Sequence, residues 1–453
     1  MPKIVLGIPQ DVVREIFSHL SSILDVQRPR EFPWHLGHIC AAWRATFLSM
    51  QLEFWNSVKL EWPPLRQKGR DGFPPSLLPR YTRRVMEMLQ FFLRCNRGSP
   101  FSFTLCTQYR AYSEKHAQEV MRVLLILVQE SSRWQNASMN LQSSMLPMLY
   151  HIKHRLPVLQ SLNLALRPDN PTPVPELYAD IFESAPLLAS IAIVTSLSTW
   201  RFNWSFLTFI HLSDSLALET GSSFYDVLPH TVRLEGLQIG MTIIHRFNVI
   251  DSLPLPVIKL PYLKHLWIHS CRLLTMLEAP ALVDFQISSK PLEQTPDVVI
   301  DFLRRSSCRL HHLCIKRYDT LAMTRILQHS PDTRRLCILS SELSGIFNWL
   351  SSEKSRAPDL EALYVFGRLR RIENEEIELD SLLHLVRARA RTSIDGKGLK
   401  QLAIHEHEVT EAPQLNRRLR TLCHDLGVDL QDPVQCHFCA SGPDYHWNET
   451  GRG

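Results

Sequence analysis

The sequence predicts an α/β chain in which a small N-terminal helical unit leads into an irregular, curved array of strand–helix repeats. Three observations predict it: an amphipathic helical stretch between Ile8 and Leu60, a Pro- and Gly-rich break from Glu61 to Pro79, and one apolar phrase that recurs through most of the remaining chain. At 453 residues the chain is too long for one compact domain unless it is a repeat array. Its composition, 45% apolar and 21% charged, supplies a sizeable core.

The first unit, residues 1–60, opens on Ile8-Pro9, and Pro9 suits a first helical turn, where its missing N–H would go unpaired anyway. Val12, Val13, Ile16, Phe17 and Leu20 then recur at helical spacing as one apolar stripe. The link from Ser21 to Trp34, with Pro29 and Pro33, is expected to loop out. A second helix places Leu36, Ile39, Cys40 and Trp43 on one face, with Arg44 just beyond. Leu52, Phe54, Trp55 and Val58 close the unit.

At Ile8-Pro9, Val12 to Leu20, Ile39-Cys40-Ala41-Ala42-Trp43-Arg44 and Phe54-Trp55 the stretch resembles the F-box, the helical module that docks a substrate receptor onto a Skp-type adaptor. It departs from that pattern in Ile8 for Leu, in an Ala for the usual basic residue before Trp43, and in a longer link between the helices. The resemblance implies a Skp-type adaptor and a cullin ligase core as partners. Ile8, Pro9, Val12, Val13, Ile16 and Phe17 would meet the adaptor, and Leu20, Leu36, Ile39, Cys40, Trp43 and Trp55 would hold the unit together.

Residues 61–79 read as a linker, so a cut there should leave a folded C-terminal fragment. Helical spacing returns at Arg84 to Leu93, Phe101 to Leu105 alternates as a strand should, and Glu114 to Glu130 reads as another helix.

From there one phrase, P-x-L-x-x-L-x-L, decides the architecture of residues 80–422. It begins at Pro157, Pro186, Pro261, Pro280 and Pro358. Looser copies place Cys308 before Leu310, Leu313 and Ile315, or Pro331 before Leu336 and Ile338. Leu207, Ile210 and Leu212, and Leu399, Leu402 and Ile404, lack the proline. Steps of 29 residues from 159 to 188, 19 from 263 to 282, 28 from 282 to 310 and 27 from 333 to 360 fit the spacing of leucine-rich repeats. Each phrase gives a strand, and segments such as Pro296 to Arg305 and Leu321 to His329 give the returning helix. Only Cys271 fills the position where a regular repeat sets Asn or Cys, and the stretch near 213–250 fits no template.

Nearly the whole length resembles the F-box proteins with divergent leucine-rich repeats of mushroom-forming fungi. The resemblance is carried by Ile39 to Arg44, Phe54 to Val58, Asp301 to Leu310 and Leu382 to Arg389. It implies a non-catalytic subunit of an SCF-type ubiquitin ligase whose solenoid holds a protein substrate. The alternative is a repeat scaffold with no part in ubiquitylation.

No catalytic constellation is present: the 20 histidines are dispersed, and no phosphate loop or nucleotide fingerprint occurs, so neither an enzyme nor a cofactor is expected. The thiols and imidazole of Cys423, Cys436, Cys439 and His446 in the tail, residues 423–453, match no zinc module, and no metal is expected. A net charge of +5 without a concentrated basic face argues against nucleic acid. The longest apolar run, Val123 to Val128, is far short of a membrane span, Met1 to Gly7 is no secretory signal, and ten scattered cysteines suit a reducing interior. An intracellular protein, in cytoplasm or nucleus, is expected. Three arginine groups, Arg368/Arg370/Arg371, Arg387/Arg389/Arg391 and Arg417/Arg418/Arg420, lean toward an acidic partner. The middle one would end a helix capped by Asp380 or Ser381.

Overall fold

The recurring proline has a structural cause. In Ala185-Pro186-Leu187-Leu188, Leu260-Pro261-Tyr262-Leu263, Ala279-Pro280-Ala281-Leu282, Ser330-Pro331-Asp332-Thr333 and Ala357-Pro358-Asp359-Leu360, the first carbonyl accepts the fourth N–H at 3.2–3.4 Å. Proline at the second position of such a turn presets φ and removes an N–H with no partner there. The fourth residue is buried each time, so the turn delivers one anchor to the core just before the strand begins.

The computed structural model describes residues 8–18, 23–26, 36–50, 54–62, 77–107, 114–167, 176–194, 200–212, 226–240, 256–269, 271–288, 296–339, 343–352, 357–366, 375–390, 398–404 and 413–431. The chain divides into two compact units, Met1–Thr231 and Val232–Gly453. It does not divide at the Glu61–Pro79 break.

The first unit begins with helices α1 (Gln10–Ser18), α2 (Leu36–Ile39) and α3 (Ala41–Ser49) and strand β1 (Ile23–Asp25). Strands β2 (Ser57–Trp62), β3 (Phe101–Thr107), β4 (Trp134–Gln142), β5 (Ser161–Arg167), β6 (Ser190–Ile193) and β7 (Phe209–Leu212) follow. Each pairs in parallel with the next in chain order. One register line runs Leu24, Val58, Phe103, Ala137, Leu162, Ile191, Ile210, and all seven side chains are buried. The returns are α4 (Leu78–Cys95) and α5 (Glu114–Gln129), then the short α6 (Leu146–Leu149), and after β5 short pieces such as the 3₁₀ turns Glu176–Tyr178 and Trp204–Phe206.

The second unit contains β8 (Gly236–Ile239), β9 (Ile258–Lys259), β10 (His265–Ile268), β11 (Leu277–Glu278), β12 (Asp284–Ser288), β13 (His312–Lys316), β14 (Arg335–Leu339), β15 (Ala362–Phe366), β16 (Gln401–Ile404) and β17 (Asp429–Gln431). All pair in parallel, β9 with β11 and the others in one sheet. Leu237, Leu266, Phe285, Leu313, Leu336, Leu363 and Leu402 form its buried register line. Helices α7 (Pro296–Ser306), α8 (Thr320–Gln328), α9 (Ser344–Ser352), α10 (Glu375–Ala390) and α11 (Pro413–Asp425) return the chain. The α/β class is as the sequence predicts, and the structure adds that the strands pair in parallel. Among the described residues, no helix is long and apolar enough to cross a membrane.

Several expectations are corrected. Part of the link expected to loop out is β1, because Leu24 is apolar and completes the register line beside Val58. The boundary expected at residue 60 falls inside β2, which pairs with β3 and so ties the helices to the sheet. Residues 63–76 of the expected linker lie outside the described residues, and Leu78 already begins α4. The expected tail is entered by α11 and β17, so the array extends past residue 422. The stretch near 213–250 contains β8, where Leu234, Leu237 and Ile239 repeat the phrase without its proline. Helix α10 starts at Glu375, so Asp380 and Ser381 lie within it and cap nothing.

One close approach in the second unit yields a stability prediction. A Cβ built on Gly345 in α9 would lie 2.8 Å from Thr320 Cγ2 and 2.9 Å from its Oγ1. Helix propensity alone would favour Gly345→Ala by about 1 kcal/mol. Thr320 is β-branched and stiff, so the clash is expected to win and to destabilise by about 1–3 kcal/mol. Urea melts of Gly345→Ala alone and on a Thr320→Ala background test this: relief in the double variant is expected, and a Gly345→Ala protein as stable as the parent would refute the close approach.

Candidate functional site

The helical unit is built around aromatic rings. Phe17 on α1 is fully buried and meets Trp43 edge-on at 5.2 Å, Phe54 at 6.3 Å and Phe47 at 6.4 Å between ring centroids. Phe47 and Phe54 lie 5.0 Å apart. Val13, Leu36 and Met50 are buried too.

Polar contacts fix the helices. Arg44 Nε donates to the Gly37 carbonyl at 2.7 Å, binding α3 to α2, and Arg14 Nη2 donates to Ser49 Oγ at 3.3 Å, binding α1 to α3. The Cys40 thiol accepts the Trp43 N–H at 3.4 Å, so it acts as a cap at the start of α3.

The apolar stripe of α1 is shared between two sides. Val13 and Phe17 face the aromatic rings, while Ile8, Val12 and Ile16, at 39%, 44% and 42% exposure, lie one turn apart along the outside, with Pro9 also exposed. The structure therefore removes Val13 and Phe17 from the expected adaptor face, because the rings of α3 and Phe54 take them. Among the residues expected as core, Leu36 and Trp55 are buried, Trp43 is half-buried, and Cys40 is half-buried in its capping role. Ile39 is exposed, because α2 is a single turn whose other side carries Leu36 and Gly37 inward. Leu20 lies outside the described residues. Sequence reasoning leaves Phe47 out of the core and gives Phe54 no partner there; Phe47 stands one turn after Trp43, which is the available signal.

The arginine groups resolve differently from one another. Arg389 is buried and donates to the Leu350 and Ala357 carbonyls. Arg418 Nη2 lies 3.5 Å from Asp380 Oδ1, and Arg387 and Arg417 are exposed. Arg368, Arg370, Arg371 and Arg391 lie outside the described residues, as do Cys436, Cys439 and His446. Cys423 is buried on α11, and burial pushes its thiol up to about 11. No family model matches the chain, and no curated protein is similar to it.

Proposed function

We propose that the chain is a non-catalytic substrate receptor of an SCF-type ubiquitin ligase. Its helical unit acts as an F-box that docks a Skp-type adaptor and a cullin core, and its strand–helix array acts as a divergent leucine-rich-repeat solenoid that holds a protein substrate inside the cell. The observation that carries this reading is the outer line of α1: Val12 and Ile16, with Ile8 just before the helix, stay exposed while the opposite side is locked into an aromatic core. Exposed aliphatics in a row mark an interaction surface more readily than isolated ones do. The bond-making steps of ubiquitin transfer would lie in other subunits, and this chain would contribute proximity and orientation.

A second reading, a repeat scaffold without ubiquitylation, is favoured by β1 and β2 joining the sheet, which gives the helical unit a structural use of its own.

The test is adaptor affinity. Ile8→Ala/Val12→Ala/Ile16→Ala is expected to weaken binding of a Skp-type adaptor by on the order of a hundredfold, since each lost aliphatic contact is worth about 1 kcal/mol. Thermal melting should barely move, because these side chains contribute little to the interior. Unchanged affinity would sink the proposed interface, and a parent chain that binds no adaptor would leave the scaffold reading.

A further inference from the structure

On the strands of the second unit, alternate residues point away from the buried register line. The first position on that opposite face runs, in register, Gly236, His265, Asp284, His312, Arg335, Ala362, Gln401 and Asp429. One residue earlier, at the rim where the strands begin, Glu235, Lys264, Val283, His311, Arg334, Glu361 and Lys400 follow one another through backbone hydrogen bonds of 2.7–3.0 Å.

Most charges in these two rows are matched. Lys264 Nζ lies 2.9 Å from Glu235, Lys400 Nζ 3.4 Å from Glu361, and His265 Nδ1 2.5 Å from Asp284 Oδ2. His312 is buried, with Nδ1 4.0 Å from the other Asp284 oxygen, and Arg309 stands 4.0 Å from Asp332. Three neighbours are left over. His311, Arg334 and Arg335 are exposed, and their side chains make no hydrogen bond or ion pair among the described residues.

These three sit on two adjacent strands, with His311 beside Arg334 and His312 beside Arg335. The two guanidinium groups carry positive charge that no neighbouring carboxylate takes up among the described residues, so an incoming carboxylate would meet it. Paired guanidinium forks match carboxylates in bidentate geometry.

We propose that this rim of β13 and β14 docks a short acidic segment of a partner protein, with Arg334 and Arg335 each taking an Asp or Glu carboxylate and His311 beside them. The acidic residues within the same rows, Glu235, Asp284 and Glu361, oppose a long polyanion, which would need a continuous basic stripe. A peptide with a few carboxylates fits the short gap between them. The inference stands whether or not the helical unit binds an adaptor.

Fluorescence anisotropy on the full chain tests it, with labelled oligo-glutamate, oligo-glutamine and phosphoserine-containing peptides and a single-stranded DNA oligonucleotide as probes. Oligo-glutamate is expected to bind and oligo-glutamine not to. Arg334→Gln/Arg335→Gln should weaken that binding by at least about tenfold, or 1.4 kcal/mol, without lowering the melting temperature, since both side chains are exposed and make no hydrogen bond or ion pair among the described residues. The control Arg387→Gln/Arg417→Gln should leave affinity unchanged. An equal loss in the control would reduce the effect to net charge and overturn the assignment to this rim. Binding of the phosphopeptide alone, DNA binding as tight as oligo-glutamate, or a lower melting temperature in Arg334→Gln/Arg335→Gln would each overturn the proposal.

Discussion

Replacing Trp55 with alanine is expected to destabilise the first unit by about 3–5 kcal/mol, the range for deleting a large buried aromatic. Trp55 stands between the helices and the sheet and is 3% exposed. Its ring meets Phe91 at 5.5 Å and Phe92 at 6.2 Å on α4. Its carbonyl accepts Asn96 Nδ2 at 2.7 Å, and the buried Asn96 in turn accepts from Arg133, which lies over the Phe101 ring at 5.4 Å and donates to the Ser99 carbonyl at 3.1 Å. The variant therefore loses a cavity's worth of packing while keeping the carbonyl that anchors this polar chain, so the loss reads the ring alone.

The same geometry reverses the expectation that a chain starting near Arg80 would stand alone. Such a fragment lacks β1 and β2 and would present the backbone edge of β3, an invitation to aggregate. Urea denaturation of Trp55→Ala and the solubility of the fragment are the measurements. A variant that melts with the parent, beside a soluble, helical fragment, would restore a separable helical domain.

Strands are legible in the sequence wherever a turn needs its proline. The phrase locates β5, β6, β10, β12 and β15 because Pro and the fourth-position Leu are dictated by the same β-turn. It misses β4, whose inward positions are Trp134, Ala137, Met139 and Leu141, because a buried register line asks only for apolar volume and not for leucine. It misses β8 because Val232 stands where a proline would. On α1, the four apolar positions Val12, Val13, Ile16 and Phe17 span too wide an arc for spacing alone to say which half faces inward. That choice is made by Phe47 and Phe54, distant in sequence and joined to Phe17 only in the fold. Charge is the least legible: a run of arginines in sequence does not say that Arg389 turns inward, or that Arg334 and Arg335, in no cluster by spacing, stand exposed side by side without a partner among the described residues.

Arg389→Leu is expected to destabilise the second unit by about 2–4 kcal/mol, because it strands the buried Leu350 carbonyl and removes a charged donor from the Ala357 carbonyl. Arg389 is 5% exposed, and burial pulls its pKa below the ordinary arginine value, so the charge is held at a desolvation cost. Three hydrogen bonds offset that cost. Nε and Nη2 donate to the Leu350 carbonyl at 3.0 and 2.8 Å, and Nη1 donates to the Ala357 carbonyl at 3.1 Å. Leu350 lies in the last turn of α9, where carbonyls have no partner within the helix and a cation opposes the negative end of the dipole. Ala357 opens the turn into β15 with φ 53°, a left-handed conformation that costs a non-glycine residue about 1–2 kcal/mol and needs support from its surroundings. Leucine would fill much of the space but leave the buried Leu350 carbonyl unpaired, at about 1–3 kcal/mol, while the Ala357 carbonyl would keep only the Leu360 N–H of its turn. Arg389→Lys should recover little, because an ammonium cannot span both carbonyls as the planar fork does. Chemical denaturation of both variants beside Arg387→Leu, which alters an exposed neighbour on the same helix, separates the fork from the charge. If Arg389→Lys matched the parent, the positive charge alone would suffice; if Arg389→Leu matched it, the carbonyls would have found other donors and the bridge would be dispensable.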